Sequence, residues 1–128
     1  MKTQRFLPII LAGIVLMMLN ACATYPKSGQ SALVGTWTNS LGTVWMIKAD
    51  GSFDVDLTHH GKREAWGTYT VASDTMTIHT GGGIIPHGCK GDATYKFSRP
   101  DKDSLQFTLV KDSCKLRKKN VLLGWKTK

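Results

Sequence analysis

The amino-acid sequence predicts an all-β domain, an antiparallel meander of about eight strands closing into a barrel, behind an N-terminal export signal and a short tether. Three observations lead there. Apolar and polar residues alternate at every second position in run after run, which turns one face of each strand inward and the other toward water. Short turn sequences separate the runs and favour antiparallel neighbours. No stretch of the domain carries apolar residues at a helical period.

The chain opens on a positive start at Lys2 and Arg5, then an apolar run from Phe6 to Leu19 that ends in Leu19-Asn20-Ala21-Cys22. A membrane span needs ~20 apolar residues, and this run is shorter, so residues 1–21 read as a signal peptide rather than a retained helix. The final tetrad resembles the bacterial lipobox, in which the cysteine is acylated and becomes the first residue of the mature chain. The resemblance implies cleavage before Cys22 and a membrane anchor of acyl chains on it, stable because it exceeds the two lipid signals that lasting attachment takes. Ala23 in place of an aspartate resembles lipoproteins sorted to the outer membrane, which would face the domain to the periplasm in a Gram-negative host. Thr24 to Ala32 is polar and suits a flexible tether, so residues 22–32 are read as lipidated cysteine plus tether.

The domain is placed at Leu33 to Lys128, long enough for one core and too short for two. Its strands are expected at Val34 to Thr38, Thr43 to Lys48, around Phe53, Val55 and Leu57, and at Arg63 to Val71. Further strands are expected around Met76 and Ile78, around Tyr95 and Phe97, around Leu105, Phe107 and Leu109, and at Val121 to Trp125. Turns fall at Ala49-Asp50-Gly51, His60-Gly61-Lys62, Ala72-Ser73-Asp74 and Arg99 to Asp103. With Cys22 set aside, Cys89 and Cys114 are an even pair in an exported chain and read as a disulfide rather than as free or metal-bound thiols. They flank the hairpin that turns at Pro100 to Lys102. Pairing Phe97 with Leu105 or Phe107 leaves the cysteines one residue out of register, so a bulge is expected to absorb the offset.

Leu33-Val34-Gly35-Thr36-Trp37 carries a Gly-x-Trp on the first strand, which resembles the lipocalin and wider calycin group. The resemblance extends loosely to Trp125 and implies a tryptophan plug at one end of the barrel with an arginine across its ring. Trp37 takes the first role, and Arg117, beside Lys118 and Lys119, is assigned the second. It also implies a cup for a small, often apolar molecule. A shorter segment, Gly35 to Thr43, resembles the first strand and loop of avidin-type biotin binders. There Asn39 and Thr43 would hold the ureido oxygen and Leu41 would touch the ring system. The rest of the chain departs from that family, with no matching series of pocket tryptophans and an added cysteine-flanked hairpin.

Other chemistry is weaker. His59, His60, His79, His87 and Cys89 lack the spacing of a structural zinc site, and neighbouring residues of a strand face opposite ways. No metal or cofactor is therefore assigned. Gly81-Gly82-Gly83 is not followed by the Gly-Lys-Ser/Thr of a phosphate loop and reads as a flexible connection before Cys89. No nucleophile stands in a recognisable motif, and the single glutamate, Glu64, has no acidic neighbour, so no catalytic residue is named. The formal charge is +8, of which Lys2 and Arg5 account for two; Lys111 to Lys128 contains the remaining surplus. Lys115, Arg117, Lys118 and Lys119 read as a solvated loop, with binding of anionic lipid as the alternative. Nucleic acid is not expected as a partner of an exported, membrane-anchored domain, and the cluster also has no interleaved aromatics for base stacking.

The expected function is binding of a small apolar ligand or lipid in an interior lined by some of Val55, Leu57, Tyr69, Met76, Ile78, Tyr95, Phe97, Phe107 and Leu109. The same residues would serve a solid core, since eight strands suffice either to fill a barrel or to hold one small ligand. A packed barrel that meets a protein partner in the envelope is the alternative, and avidin-like biotin binding the third.

Overall fold

The computed structural model describes residues 24–128. The signal peptide read at residues 1–21 and the lipidation site read at Cys22 lie outside them.

Eight strands form one closed antiparallel barrel in sequence order. They are β1 (Gly35–Thr38), β2 (Val44–Ile47), β3 (Ser52–Asp56), β4 (Ala65–Ala72), β5 (Thr75–Gly83), β6 (Ala93–Ser98), β7 (Ser104–Lys111) and β8 (Trp125–Thr127), with one helix, α1 (Lys115–Val121), between the last two. β8 closes the ring by pairing both with β7, at Leu105 opposite Trp125, and with β1, at Trp37 opposite Thr127. Closure gives every strand a neighbour on both sides, although β8 covers only Ser104 and Leu105 of β7.

The alternation read in the sequence sets which residues point inward. Trp37, Ile47, Phe53, Tyr69, Met76, Ile78, Tyr95, Phe97, Leu105 and Phe107 are all buried. Around Trp45 the core is aromatic: Phe107 and Trp125 lie at centroid distances of 5.4 and 5.2 Å, and Phe53 meets it edge-on at 6.0 Å. Such pairs add about 0.5–1.5 kcal/mol each beyond the area they bury.

The hairpin of β6 and β7 carries a register slip, but it runs opposite to the one expected from the cysteines and does not absorb their offset. Phe97 pairs with Phe107 and Tyr95 with Leu109, and the register then slips so that Thr94 meets Lys111. Cys89 and Cys114 join in a disulfide beyond the paired ends of the hairpin, 25 residues apart in sequence, Cys89 from the loop before β6 and Cys114 from the start of α1. A second slip, at Trp66 and Gly67, bends β4 over β5. Any side chain at Gly67 would place its Cβ 2.0 Å from the carbonyl oxygen of His79, so this close approach admits only glycine.

Five local expectations are corrected. Lys115 to Val121 is helical and not a loop, and the last strand starts at Trp125, not Val121. The helix starts because the sulfur of Cys114 accepts from the backbone N–H of Arg117 and its carbonyl from that of Lys118. In two turns only Val121 is buried, too little for a periodic signal. Gly81 to Gly83 is strand, the end of β5, and the indole of Trp66 lies across Gly82. Packing reaches back before Leu33: Gln30–Ala32 form a 3-10 turn, Ala32 is fully buried, and the Gln30 amide donates to the Ala49 carbonyl and the Tyr69 hydroxyl. Leu109 keeps the inward phase of β7 but lies beyond the stretch covered by β8, and is 40% exposed.

Candidate ligand cavity at the open end of the barrel

The two ends of the barrel are built differently. The β2–β3, β4–β5 and β6–β7 turns and the 3-10 turn gather at one end, which is plugged. Trp37 fills it and donates its indole N–H to the Leu33 carbonyl at 2.8 Å. Arg99 lies across the Trp37 ring, 4.8 Å from its centroid, and donates to the carbonyls of Ser104, at 2.8 Å, Ala32, at 3.0 Å, and Lys102. The arginine across the plug is thus Arg99 and not Arg117. The β6–β7 turn delivers Arg99 to the end where β1 begins, whereas α1 carries Arg117 to the opposite end.

There Arg117 holds the mouth together. Its guanidinium forms an ion pair with Asp112 at 2.8 Å and donates to the Thr80 hydroxyl at 3.0 Å and to the carbonyls of Cys89 and Gly91. Asp112 also accepts from the Tyr95 hydroxyl and from the Cys114 N–H. Burial pushes the Asp112 carboxyl upward, but the bonds from Arg117, Tyr95 and Cys114 outweigh it and hold the group below its ordinary range. Burial and the neighbouring Asp112 push the Tyr95 phenol far up, so it remains a hydrogen-bond donor.

Between this network and the core lies a cavity of about 340 Å³. Trp45, Phe53, Val55, Ile78 and Trp125 form its inner wall; Leu41, Leu57, Ile84 and Leu116 stand around the mouth, and α1 contributes Arg117, Lys119, Asn120 and Val121. The size falls within the ~300–1,000 Å³ of small-molecule sites, and the apolar lining with few polar groups is typical of them. One polar group stands out. The indole N–H of Trp45 is buried and has no hydrogen-bond partner among the described residues. Leaving such a donor unmatched costs on the order of 1–3 kcal/mol.

Of the residues expected to line the interior, Val55, Leu57 and Ile78 do so. Tyr69, Met76, Tyr95, Phe97 and Phe107 are buried in the core without lining the cavity. The tyrosine hydroxyls are spoken for, Tyr69 donating to the Lys48 carbonyl and Tyr95 to Asp112. Leu41 and Thr43 line the cavity, but the Asn39 amide donates to Asn120 and its oxygen accepts from the N–H groups of Leu41 and Thr43. Asn120 in turn donates to the Thr43 hydroxyl at 3.1 Å. A side chain of α1 therefore takes the contacts that the biotin resemblance reserved for a ligand.

Sequence reasoning missed Trp45, Trp66 and Trp125, three tryptophans that line the cavity and that the sequence reading had not recognised as a series. The alternation of Thr43, Trp45 and Ile47 carries the signal for the first. Asn120 and the Ile84-Ile85-Pro86 segment had none, since both reach the cavity through loop and helix geometry. His79 pairs with Asp92 at 3.0 Å, and His59 and His60 sit in the β3–β4 loop, where Asp56 accepts from the N–H groups of His60 and Gly61.

No protein-family model matches the chain, and no curated protein or solved structure matches it either. Its class is therefore set by its own geometry: a closed eight-stranded antiparallel barrel, plugged at one end and hollow at the other.

Proposed function

We propose that the protein is a lipocalin-like carrier that holds one small, largely apolar molecule in the cavity between Trp45 and α1. The observation that carries this reading is the apolar cavity of about 340 Å³ at the unplugged end of the barrel, walled by Trp45, Phe53, Val55, Ile78 and Trp125. A core evolved only for packing would fill such a space with its own side chains, whereas a carrier keeps it open for a ligand. Lipocalin-like kinship is supported by the Gly-x-Trp plug, its crossing arginine and the eight-stranded closure.

Titration of the purified protein with dodecanol tests the reading through tryptophan emission, because three of the four tryptophans line the cavity. Saturable quenching is expected, weakened at least about tenfold in Val55→Phe, which fills the space, a loss of ~1.4 kcal/mol. Quenching of equal strength in that variant, with the barrel still folded by circular dichroism, would place binding elsewhere and contradict the proposal.

The lipobox resemblance supports a further part of the same proposal: the carrier is a lipoprotein anchored in the cell envelope through acyl chains on Cys22.

A further inference from the structure

The chemistry of the cavity's charged groups narrows the ligand class, given that the carrier reading holds. Two cations, Arg117 and Lys119, line the cavity, and no carboxylate does. Arg117 is neutralised by Asp112 and its donors are committed to protein oxygens. Lys119 makes no ion pair among the described residues and is exposed on α1 at the mouth. The polar side chains beside it are already engaged, Asn120 with Thr43 and Asn39, and Thr80 with Arg117 and the Cys89 carbonyl. What the lining still offers is therefore donor capacity at the mouth, the ammonium of Lys119.

We propose that the cavity selects an amphiphile with one apolar chain and one anionic head, the chain lying against Trp45, Phe53 and Trp125 and the head held at the mouth by Lys119. The cavity lies near the lower limit of small-molecule sites, which favours a single chain over a two-chain lipid. Leu41, Ile84 and Leu116, each more than half exposed around the mouth, would cover the part of the chain nearest the head. This divides the basic cluster of the sequence: Lys119 and Arg117 face the cavity, while Lys115 and Lys118 do not line it.

The test compares dodecanoate, dodecyl phosphate, dodecanol and dodecyltrimethylammonium on the purified full-length protein by isothermal titration calorimetry. A charge-assisted hydrogen bond at the mouth predicts that the anions bind about tenfold tighter than dodecanol. The cation should be the weakest. Lys119→Glu should abolish the preference of anion over alcohol and Lys119→Arg should keep it. Preference for dodecanoate over dodecyl phosphate, or the reverse, identifies a carboxylate or a phosphate head. Equal binding of dodecanol and the anions would overturn the anionic class and leave the carrier reading standing. Binding of none of the four would overturn both.

Discussion

Arg99 does more in this barrel than its place in a surface turn suggests. One guanidinium spans the Trp37 face and three carbonyls from the 3-10 turn and the β6–β7 turn. Arg99→Lys keeps the charge and loses the planar fork, so it is expected to cost about 1–3 kcal/mol. Urea unfolding measures it, and an unchanged midpoint would contradict the role. At the other end Asp112 makes stability depend on pH. Its folded carboxyl is held below the unfolded value of ~3.9, so its contribution is complete above that value and is lost as the pH falls through the lowered folded one. Melting temperature followed from neutral pH down to acid should drop in this window, and Asp112→Asn should flatten the drop while lowering stability at neutral pH. A wild-type profile that the substitution leaves parallel would count against the network.

At the scale of elements, the disulfide joins the start of α1 to the loop between β5 and β6, so it fixes the helix that walls the cavity. Replacing both Cys89 and Cys114 by serine should cost about 3 kcal/mol by the loop-entropy estimate and raise amide exchange first in α1. Uniform exchange across the barrel would show that the bond does not hold the helix in particular. The strands were legible because two-residue alternation needs only local sequence: Phe53-Asp54-Val55 and Tyr95-Lys96-Phe97 declare their faces by themselves. The register slip beside Tyr95 was not, because it runs opposite to the one the cysteine spacing asks for, and a loop and the start of α1, rather than paired strands, bring the two cysteines together. Neither α1 nor the mouth was. α1 buries one residue and owes its start to a disulfide cysteine, and Arg117, Thr80 and Gly91 meet only because closure brings distant segments together. The plug tryptophan followed from Gly-x-Trp, while its arginine depended on which turn reaches which end.

Across the whole molecule the ends are opposed in role. The Tyr25 ring lies 5.2 Å from the Arg99 guanidinium at the plugged end, and Cys22 stands three residues before it, at most about 11 Å of chain. Acyl chains on Cys22 would thus hold the plugged end near the bilayer and turn the mouth away from it, free to meet a donor or acceptor of ligand. The intact mass of the purified protein checks the anchor: a chain starting at Cys22 with added acyl mass is expected, and an unmodified mass would remove it. The central claim, that the mouth leads to a site for one small molecule, is tested most directly by native mass spectrometry of the protein from its own cells before and after organic extraction. The account predicts one ligand per chain, lost on extraction and regained when an anionic single-chain amphiphile is added. A bare mass that stays bare through every addition would contradict it and turn attention to a packed barrel that works through a protein partner.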